Sequence, residues 1–188
     1  MSNQLFINTY LEDFSQLIKP NEEINAKLLQ VHNYLLDIKN NNKKVLIFGN
    51  GGSAAISSHF SVDITKNAKI RCLNFNESDL ITCFSNDYGF EYWAEKAIDF
   101  YGDQGDMLIA ISSSGNSQNM INAVNAAQKG KFSSIITLSG FSNDNKLKKL
   151  GDVNLWLDSK AYNFVECAHQ IWLLAIVDLL IGKREYSS

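Results

Sequence analysis

The chain has few of the features that stabilise small secreted proteins or anchor proteins in membranes. It contains three cysteines (Cys72, Cys83 and Cys167) without CxxC spacing, which argues against a disulfide framework and against a cysteine zinc site. No apolar run reaches the roughly 18 residues of a spanning helix. The N-terminal segment has early acidic residues and lacks the apolar core of a signal peptide. These absences predict a cytoplasmic protein with no membrane partner.

Excess positive charge is also missing. Lys and Arg number 17 against 20 Asp and Glu, which gives a formal net charge of -3. This balance excludes a general electrostatic nucleic-acid binder, so no direct nucleic-acid binding is expected. Hydrophobic residues make up 45% of the 188 residues and charged residues 20%, as in a folded globular protein.

The single proline, Pro20, separates two predicted amphipathic helices in residues 1–44. From residue 45 onward, short apolar runs alternate with helical patterns and predict an open parallel sheet covered by helices on both faces. The chain closes with a long apolar helix over about 160–182. With no repeat and no linker, residues 1–188 are expected to form a single domain with its core in 45–182. The predicted strands are 45–48, 70–75, 107–112, 133–139 and 153–158.

Two loops follow predicted strands and open helices. Residues 49–53 read GNGGS and residues 112–117 read SSSGNS. Glycines let backbone N–H groups approach an anion, and a helix N-terminus adds a favourable dipole. The serine loop offers four hydroxyls and no cation, which suits a small phosphate bound by neutral donors. Two such loops at similar positions predict a phosphate site rather than two ordinary turns.

A dinucleotide site is the rival interpretation, because Gly49-x-Gly51-x-x-Ala54 matches the dinucleotide fingerprint. That fingerprint requires an acidic residue at the end of the second strand. Here the strand ends at Asn74 and Asn76, with Glu77 only in the following turn. The second serine-rich loop would also have no role, so the phosphate interpretation is preferred.

The segments GNGGSAAISSHF, CFSNDYGFEYW and GDMLIAISSSGNSQNMINAVNAA resemble the sugar isomerase (SIS) family, and within it the sedoheptulose 7-phosphate isomerases of bacteria. The resemblance covers about residues 45–182. It implies a flavodoxin-like α/β fold, a three-layer αβα sandwich with a five-stranded parallel sheet preceded by N-terminal helices. It also implies a homotetramer with active sites shared between subunits.

The same resemblance implies roles for individual residues. The serine loop would bind the phosphate of the substrate, and the glycine loop and Asp87 would contact phosphate or sugar. His59 and Asp63 match a His-x-x-x-Glu motif on a helix, with Asp in place of Glu, and could hold Zn²⁺ or move a proton. The predicted phosphate- and sugar-binding residues are Asn50, Gly51, Gly52, Ser53, Asp87, Ser112, Ser113, Ser114 and Ser117.

The last helix departs from the family pattern. When its acidic residue is aligned with Glu166, Val165 stands where the family has Gln and Leu173 where it has His. Neither side chain binds metal or moves a proton. His169 lies four residues from each of them and shares their helix face. From that face it could point into the same pocket as Glu166. Glu166 and His169 are therefore the candidate acid/base pair, with His59 and Asp63 as further catalytic candidates.

These features predict an aldose–ketose isomerase for sedoheptulose 7-phosphate or a related sugar phosphate, working through an enediolate. A place in heptose synthesis for lipopolysaccharide or capsule follows from the resemblance. Two alternatives remain open at this point. One is an isomerase for a different sugar phosphate, and the other is a non-catalytic phosphosugar-binding regulator that retains the phosphate loops but has lost catalytic positions.

Overall fold

The computed structural model describes residues 2–185 and contains one sheet between two layers of helices. The strands of this part of the chain are β1 (Val45–Phe48), β2 (Cys72–Asn74), β3 (Met107–Ser112), β4 (Ser134–Ser139) and β5 (Val153–Trp156). Its α-helices are α1 (Asn3–Leu17), α2 (Glu22–Asn40), α3 (Gly52–Lys66), α4 (Ser78–Tyr88), α5 (Trp93–Tyr101), α6 (Gln118–Lys129) and α7 (Tyr162–Ile181).

The five strands are all parallel and lie in the order β2-β1-β3-β4-β5. The burial of β1, β3 and β4 on both faces explains their continuous apolar sequences. Side chains from α2, α3 and α7 cover one face of the sheet, and those of α5 and α6 cover the other. The predicted three-layer α/β sandwich with a five-stranded parallel sheet is therefore confirmed.

Element boundaries agree with the sequence prediction except at the sheet edges and at one helix. The edge strand β2 is three residues long instead of the predicted six, and β5 ends at Trp156. α5 was not predicted; it buries Trp93, Ala94, Ala97 and Ile98 against the sheet. α6 is followed by Gly130 and α7 by Gly182. Gly182 has the left-handed φ of +83° that ends many helices.

α7 is the one helix within residues 2–185 that is long and apolar enough to cross a membrane by composition. Its buried side chains, among them Val165, Trp172 and Leu173, belong to the core on one face of the sheet. α7 also contacts α2 and α3. These contacts are those of a core helix of an α/β fold.

Candidate functional site

The two predicted loops meet at the carboxyl edge of the sheet. β1 leads into the glycine loop and α3, and β3 leads into the serine loop and α6. Because β2 lies on one side of β1 and β3 on the other, the chain reverses its direction of strand addition between β1 and β3. Such a switch point opens the crevice where parallel sheets bind ligands. A cavity of about 170 Å³ occupies it, lined by Asn50, Ser53, Ile111, Ser112, Ser113, Ser114, Ser117, Tyr162 and Glu166.

Serine hydroxyls form one wall of this cavity. The hydroxyl of Ser112 lies 2.9 Å from that of Ser117 and 3.5 Å from that of Ser114. Ser117 is the N-cap residue of α6, yet among residues 2–185 its hydroxyl makes no capping bond to the helix. The hydroxyls therefore converge beside a helix N-terminus, an arrangement that suits an anion. The cavity lining includes no Lys or Arg from the part of the chain that the structure describes.

Of the glycine loop, Asn50 and Ser53 form a second wall of the cavity, and the predicted residues Gly51 and Gly52 are not among the lining residues. Gly51 has a φ of +55°, and α3 begins directly after it without a side-chain cap from the described residues. Asn50 joins the two loops through a reciprocal amide pair with Asn119 of α6, with distances of 3.0 and 2.8 Å. Ser53 is buried in the first turn of α3. The pair fixes the distance between the two walls; Asn119 itself was not predicted from the sequence.

Glu166 reaches the cavity from α7. A Cβ atom on Gly52 would lie 2.2 Å from Oε2 of Glu166, so the carboxylate rests against the backbone where α3 begins. The positive end of the α3 dipole favours a carboxylate at this place. Glu166 is thus the one ionisable carboxylate in the lining, within residues 2–185. The structure brings it together with the predicted phosphate residues Asn50, Ser53, Ser112, Ser113, Ser114 and Ser117.

Tyr162 also lines the cavity and was missed by the sequence analysis. It begins α7, and its ring packs edge-on against Phe141 with centroids 4.8 Å apart. Tyr162, Glu166 and Gln170 follow one another at intervals of four residues and share a helix face. Counting back one turn from Glu166 would have identified Tyr162.

His169 lies on a different face of α7 from Glu166. Its ring is fully buried, as are Val165 and Leu173, and Nε2 donates a hydrogen bond to the carbonyl of Ser139 at 3.1 Å. Burial lowers the pKa of His169 to about 4, although the bond to Ser139 opposes the shift. The expected orientation into the cavity is therefore not observed. The face of Val165, His169 and Leu173 packs into the apolar core, where a neutral imidazole is accommodated.

His59 and Asp63 lie together on α3, further from the loops. Nε2 of His59 is 3.3 Å from a carboxylate oxygen of Asp63, and Nδ1 is 3.2 Å from the side-chain nitrogen of Gln170 on α7. The amide of Gln170 donates to Nδ1, which leaves Nε2 to carry the proton that faces Asp63. Neither His59 nor Asp63 lines the cavity.

This donor set does not fit zinc. A catalytic zinc takes three protein ligands and a structural zinc four. Residues 2–185 contain no group of three or more His, Cys, Asp or Glu side chains placed to share a metal ion. Val165 and Leu173, at the positions where the resemblance implies Gln and His, are buried and apolar. The His59–Asp63 pair is therefore a hydrogen-bonded pair in this subunit.

Asp87 is not part of the cavity within this subunit. It is exposed near the end of α4, where its carboxylate accepts a hydrogen bond from Asn86 at 2.9 Å and lies 3.7 Å from Sγ of Cys83. Three exposed aromatic residues follow it closely in the sequence, namely Tyr88, Phe90 and Tyr92. Its place at the surface leaves it available to a second subunit.

Comparison with known proteins identifies relatives over nearly the whole chain. Residues 9–140 match the family model described as the SIS domain. A phosphoheptose isomerase of Fusobacterium nucleatum is 35% identical over 180 residues, which cover 92% of this chain and 91% of that protein. The structure superposes on a phosphoheptose isomerase from Francisella tularensis with a TM-score of 0.89 at 25% identity, covering 97% of this chain and 100% of the other. The phosphoheptose isomerase GmhA of Neisseria gonorrhoeae gives 0.87 at 26% identity, with coverage of 96% and 100%.

Proposed function

The chain belongs to the SIS domain family, and from this premise we propose that it is an aldose–ketose isomerase for a phosphosugar, with sedoheptulose 7-phosphate as the substrate. The observation that carries the proposal is the cavity in which the serine loop faces the carboxylate of Glu166. One wall supplies neutral donors for a phosphate, and the other supplies a base. The relatives named as phosphoheptose isomerases support the choice of sugar.

In this mechanism the serine hydroxyls and the N-terminus of α6 bind the phosphate group, while the Glu166 carboxylate occupies the start of α3. Asn50, Gly51, Gly52 and Ser53 complete the binding site around the substrate. Glu166 then removes a proton next to the carbonyl group and returns it to the neighbouring carbon, through an enediolate. Its carboxylate must act as an acceptor, and its contact with the start of α3 keeps it aimed at the cavity.

Neither ring nitrogen of His59 is free to donate to the oxygen that gains negative charge in this arrangement. Its Nε2 proton is held by Asp63, and Gln170 fixes its tautomer. No step in this mechanism uses a metal ion or His169.

We further propose a homo-oligomer, with a tetramer as the expectation, in which Asp87 of one subunit contributes to the site of another. Exposed apolar side chains on α1 support an interface, namely Leu5, Phe6, Ile7 and Leu11. A cytoplasmic enzyme of heptose synthesis for surface polysaccharide is the setting that fits these proposals. The three free cysteines of the described residues agree with a reducing compartment.

Proton NMR in D₂O with sedoheptulose 7-phosphate tests the reaction. Conversion to the aldose, with deuterium appearing next to the carbonyl, would support the proposal. Glu166→Gln should lower turnover by about 10²–10⁴-fold, because it removes the base. Asp178→Asn, a matched change at the far end of the same helix, should leave turnover unchanged.

Each contrary result has a defined meaning. Equal turnover by Glu166→Gln would remove Glu166 from the mechanism. Absence of any exchange, combined with tight binding of the sugar phosphate, would favour the non-catalytic regulator.

A further inference from the structure

A buried asparagine lies beneath the serine loop. Asn145 is only 2% exposed and belongs to the segment between β4 and the short 3-10 turn Leu147–Lys149. It is not among the residues that line the cavity. Its amide therefore has no direct contact with a ligand there, and its effect must pass through its neighbours.

Hydrogen bonds hold the Asn145 side chain from both ends. Its Nδ2 atom donates to the carbonyl of Ser142 at 2.7 Å and lies 3.2 Å from the hydroxyl of Ser139 and 3.3 Å from the carbonyl of Gly140. Its Oδ1 atom accepts from the backbone N–H of Lys148 at 2.9 Å. A neutral amide is needed to donate and accept in this way.

Gly115 of the serine loop rests directly on this side chain. A Cβ atom on Gly115 would lie 2.0 Å from Oδ1 and 2.2 Å from Cγ of Asn145, and Gly115 has a φ of +67°. The same segment holds the loop through its backbone. Leu147 N–H donates to the carbonyl of Gly115 at 2.9 Å, and Lys146 N–H donates to Oδ1 of Asn116 at 3.3 Å.

We propose that Asn145 is a positioning residue for the phosphate site: its side chain supports Gly115 and thereby holds the serine loop in the shape that binds phosphate. Gly115 connects Ser114 to Asn116 and Ser117, so a shift of its backbone moves the hydroxyls on both sides. The inference rests on the proposed function only in taking the serine loop as the phosphate site. A prearranged loop binds its ligand more tightly because less ordering is needed on binding.

Asn154 provides a matched control. It is also a buried asparagine, 7% exposed on β5, and its Nδ2 atom shares the hydroxyl of Ser139 at 3.2 Å. Its other bonds go to the carbonyl and hydroxyl of Thr137, at 3.2 and 2.9 Å. The atoms nearest to a Cβ on Gly115 belong to Asn145 and not to Asn154. Asn154→Ala therefore removes a buried amide of the same kind without removing the support of the loop.

The test compares Asn145→Ala with Asn154→Ala in the full-length protein. Three quantities are measured: the Kd of inorganic phosphate by isothermal titration, the KM and kcat with sedoheptulose 7-phosphate, and Tm. Asn145→Ala should raise both the Kd and the KM by roughly tenfold or more, with a smaller change in kcat. Asn154→Ala should lower Tm and leave the Kd and KM within about twofold.

The remaining outcomes also decide the question. Equal effects of the two variants on phosphate binding, or no effect of Asn145→Ala, would overturn the positioning role. If Asn145→Ala does not fold, Asn145→Ser takes its place: it keeps a small polar side chain but loses the amide atoms that support Gly115, and it should weaken phosphate binding in the same way. If the wild-type protein isomerises no sugar but Asn145→Ala still loses phosphate binding relative to wild type, this inference is preserved and the proposed function is refuted. A wild-type protein that binds no phosphate would refute both.

Discussion

At the scale of single residues, the absence of a side chain at Gly52 is what allows Glu166 to reach the cavity. Glu166 occupies the space that a Cβ atom would fill at the start of α3. The sequence motif predicted Gly52 as a residue that approaches a ligand closely. The structure adds that Gly52 also makes room for the proposed base.

Gly52→Ala is accordingly expected to displace the Glu166 carboxylate and to lower kcat by about tenfold or more. The measurement is steady-state turnover of the sugar phosphate beside Tm. Gly130→Ala is a suitable control, since Gly130 follows α6 with an ordinary φ of -71° and the nearest atom to the new Cβ, the carbonyl oxygen of Ala126, would be 3.3 Å away. An active Gly52→Ala with unchanged kcat would show that the position of Glu166 is unimportant.

His169 is expected to make stability depend on pH. Its pKa is lowered to about 4 in the folded state against an ordinary value of 6.5, so the unfolded chain binds a proton first as pH falls. Stability from this group is complete above about pH 6.5 and is lost as pH falls towards 4, by about 3 kcal/mol. His169→Gln keeps a donor for Ser139 but cannot titrate. The free energy of unfolding, measured with denaturant, should differ less between pH 4.5 and pH 7 for the variant than for wild type. An equal difference in the two proteins would exclude His169 as the source of the pH dependence.

At the scale of elements, the pairing of α3 with α7 determines which side chains meet. Glu166 contacts the start of α3 and Gln170 contacts His59 one turn further along. The turns of α7 that face the core carry Val165 and Leu173, both buried and apolar. The two helices thus bring together a base and an imidazole pair but too few donors for zinc.

Removal of metal should therefore leave activity unchanged. Turnover is measured after dialysis against a chelator and again after addition of Zn²⁺, with metal content determined in parallel. We expect less than about a twofold change, because His59 and Asp63 supply two ligands where catalytic zinc takes three. Loss of turnover with the chelator and recovery with Zn²⁺ would show that further ligands complete a metal site.

At the scale of the whole molecule, the proposed assembly rests on the exposed apolar side chains of α1. Leu5, Phe6, Ile7 and Leu11 are each more than half exposed. Large exposed apolar surfaces on soluble proteins often mark interfaces with other chains.

Light scattering during gel filtration should consequently give a mass above the 21.1 kDa of one chain, with four times that mass for a tetramer. Replacing both Phe6 and Leu11 with Ser should shift the mass towards that of one chain and lower turnover if sites are shared. A chain that elutes as an active monomer would contradict both the assembly and the role of Asp87.

That residues 1–188 form a single domain stays a prediction, which a single cooperative unfolding transition would support.

The sequence by itself was sufficient for the α/β fold and for the loops that carry the proposed phosphate site. Strand–helix alternation is local, and the motifs at 49–53 and 112–117 each lie within one turn between a strand and a helix. Their meeting at one edge also followed, since parallel strands end on the same side of a sheet.

The tertiary structure alone decided how α7 is rotated about its axis. Periodicity placed Val165, His169 and Leu173 on one face, but it could not say whether that face met the cavity or the core. The packing of α7 against the sheet and α3 buried that face and turned Tyr162, Glu166 and Gln170 towards the site. The support of Gly115 by Asn145 was hidden for the same reason. Contacts between residues 30 apart depend on how separate elements pack, and no local pattern in the sequence records them.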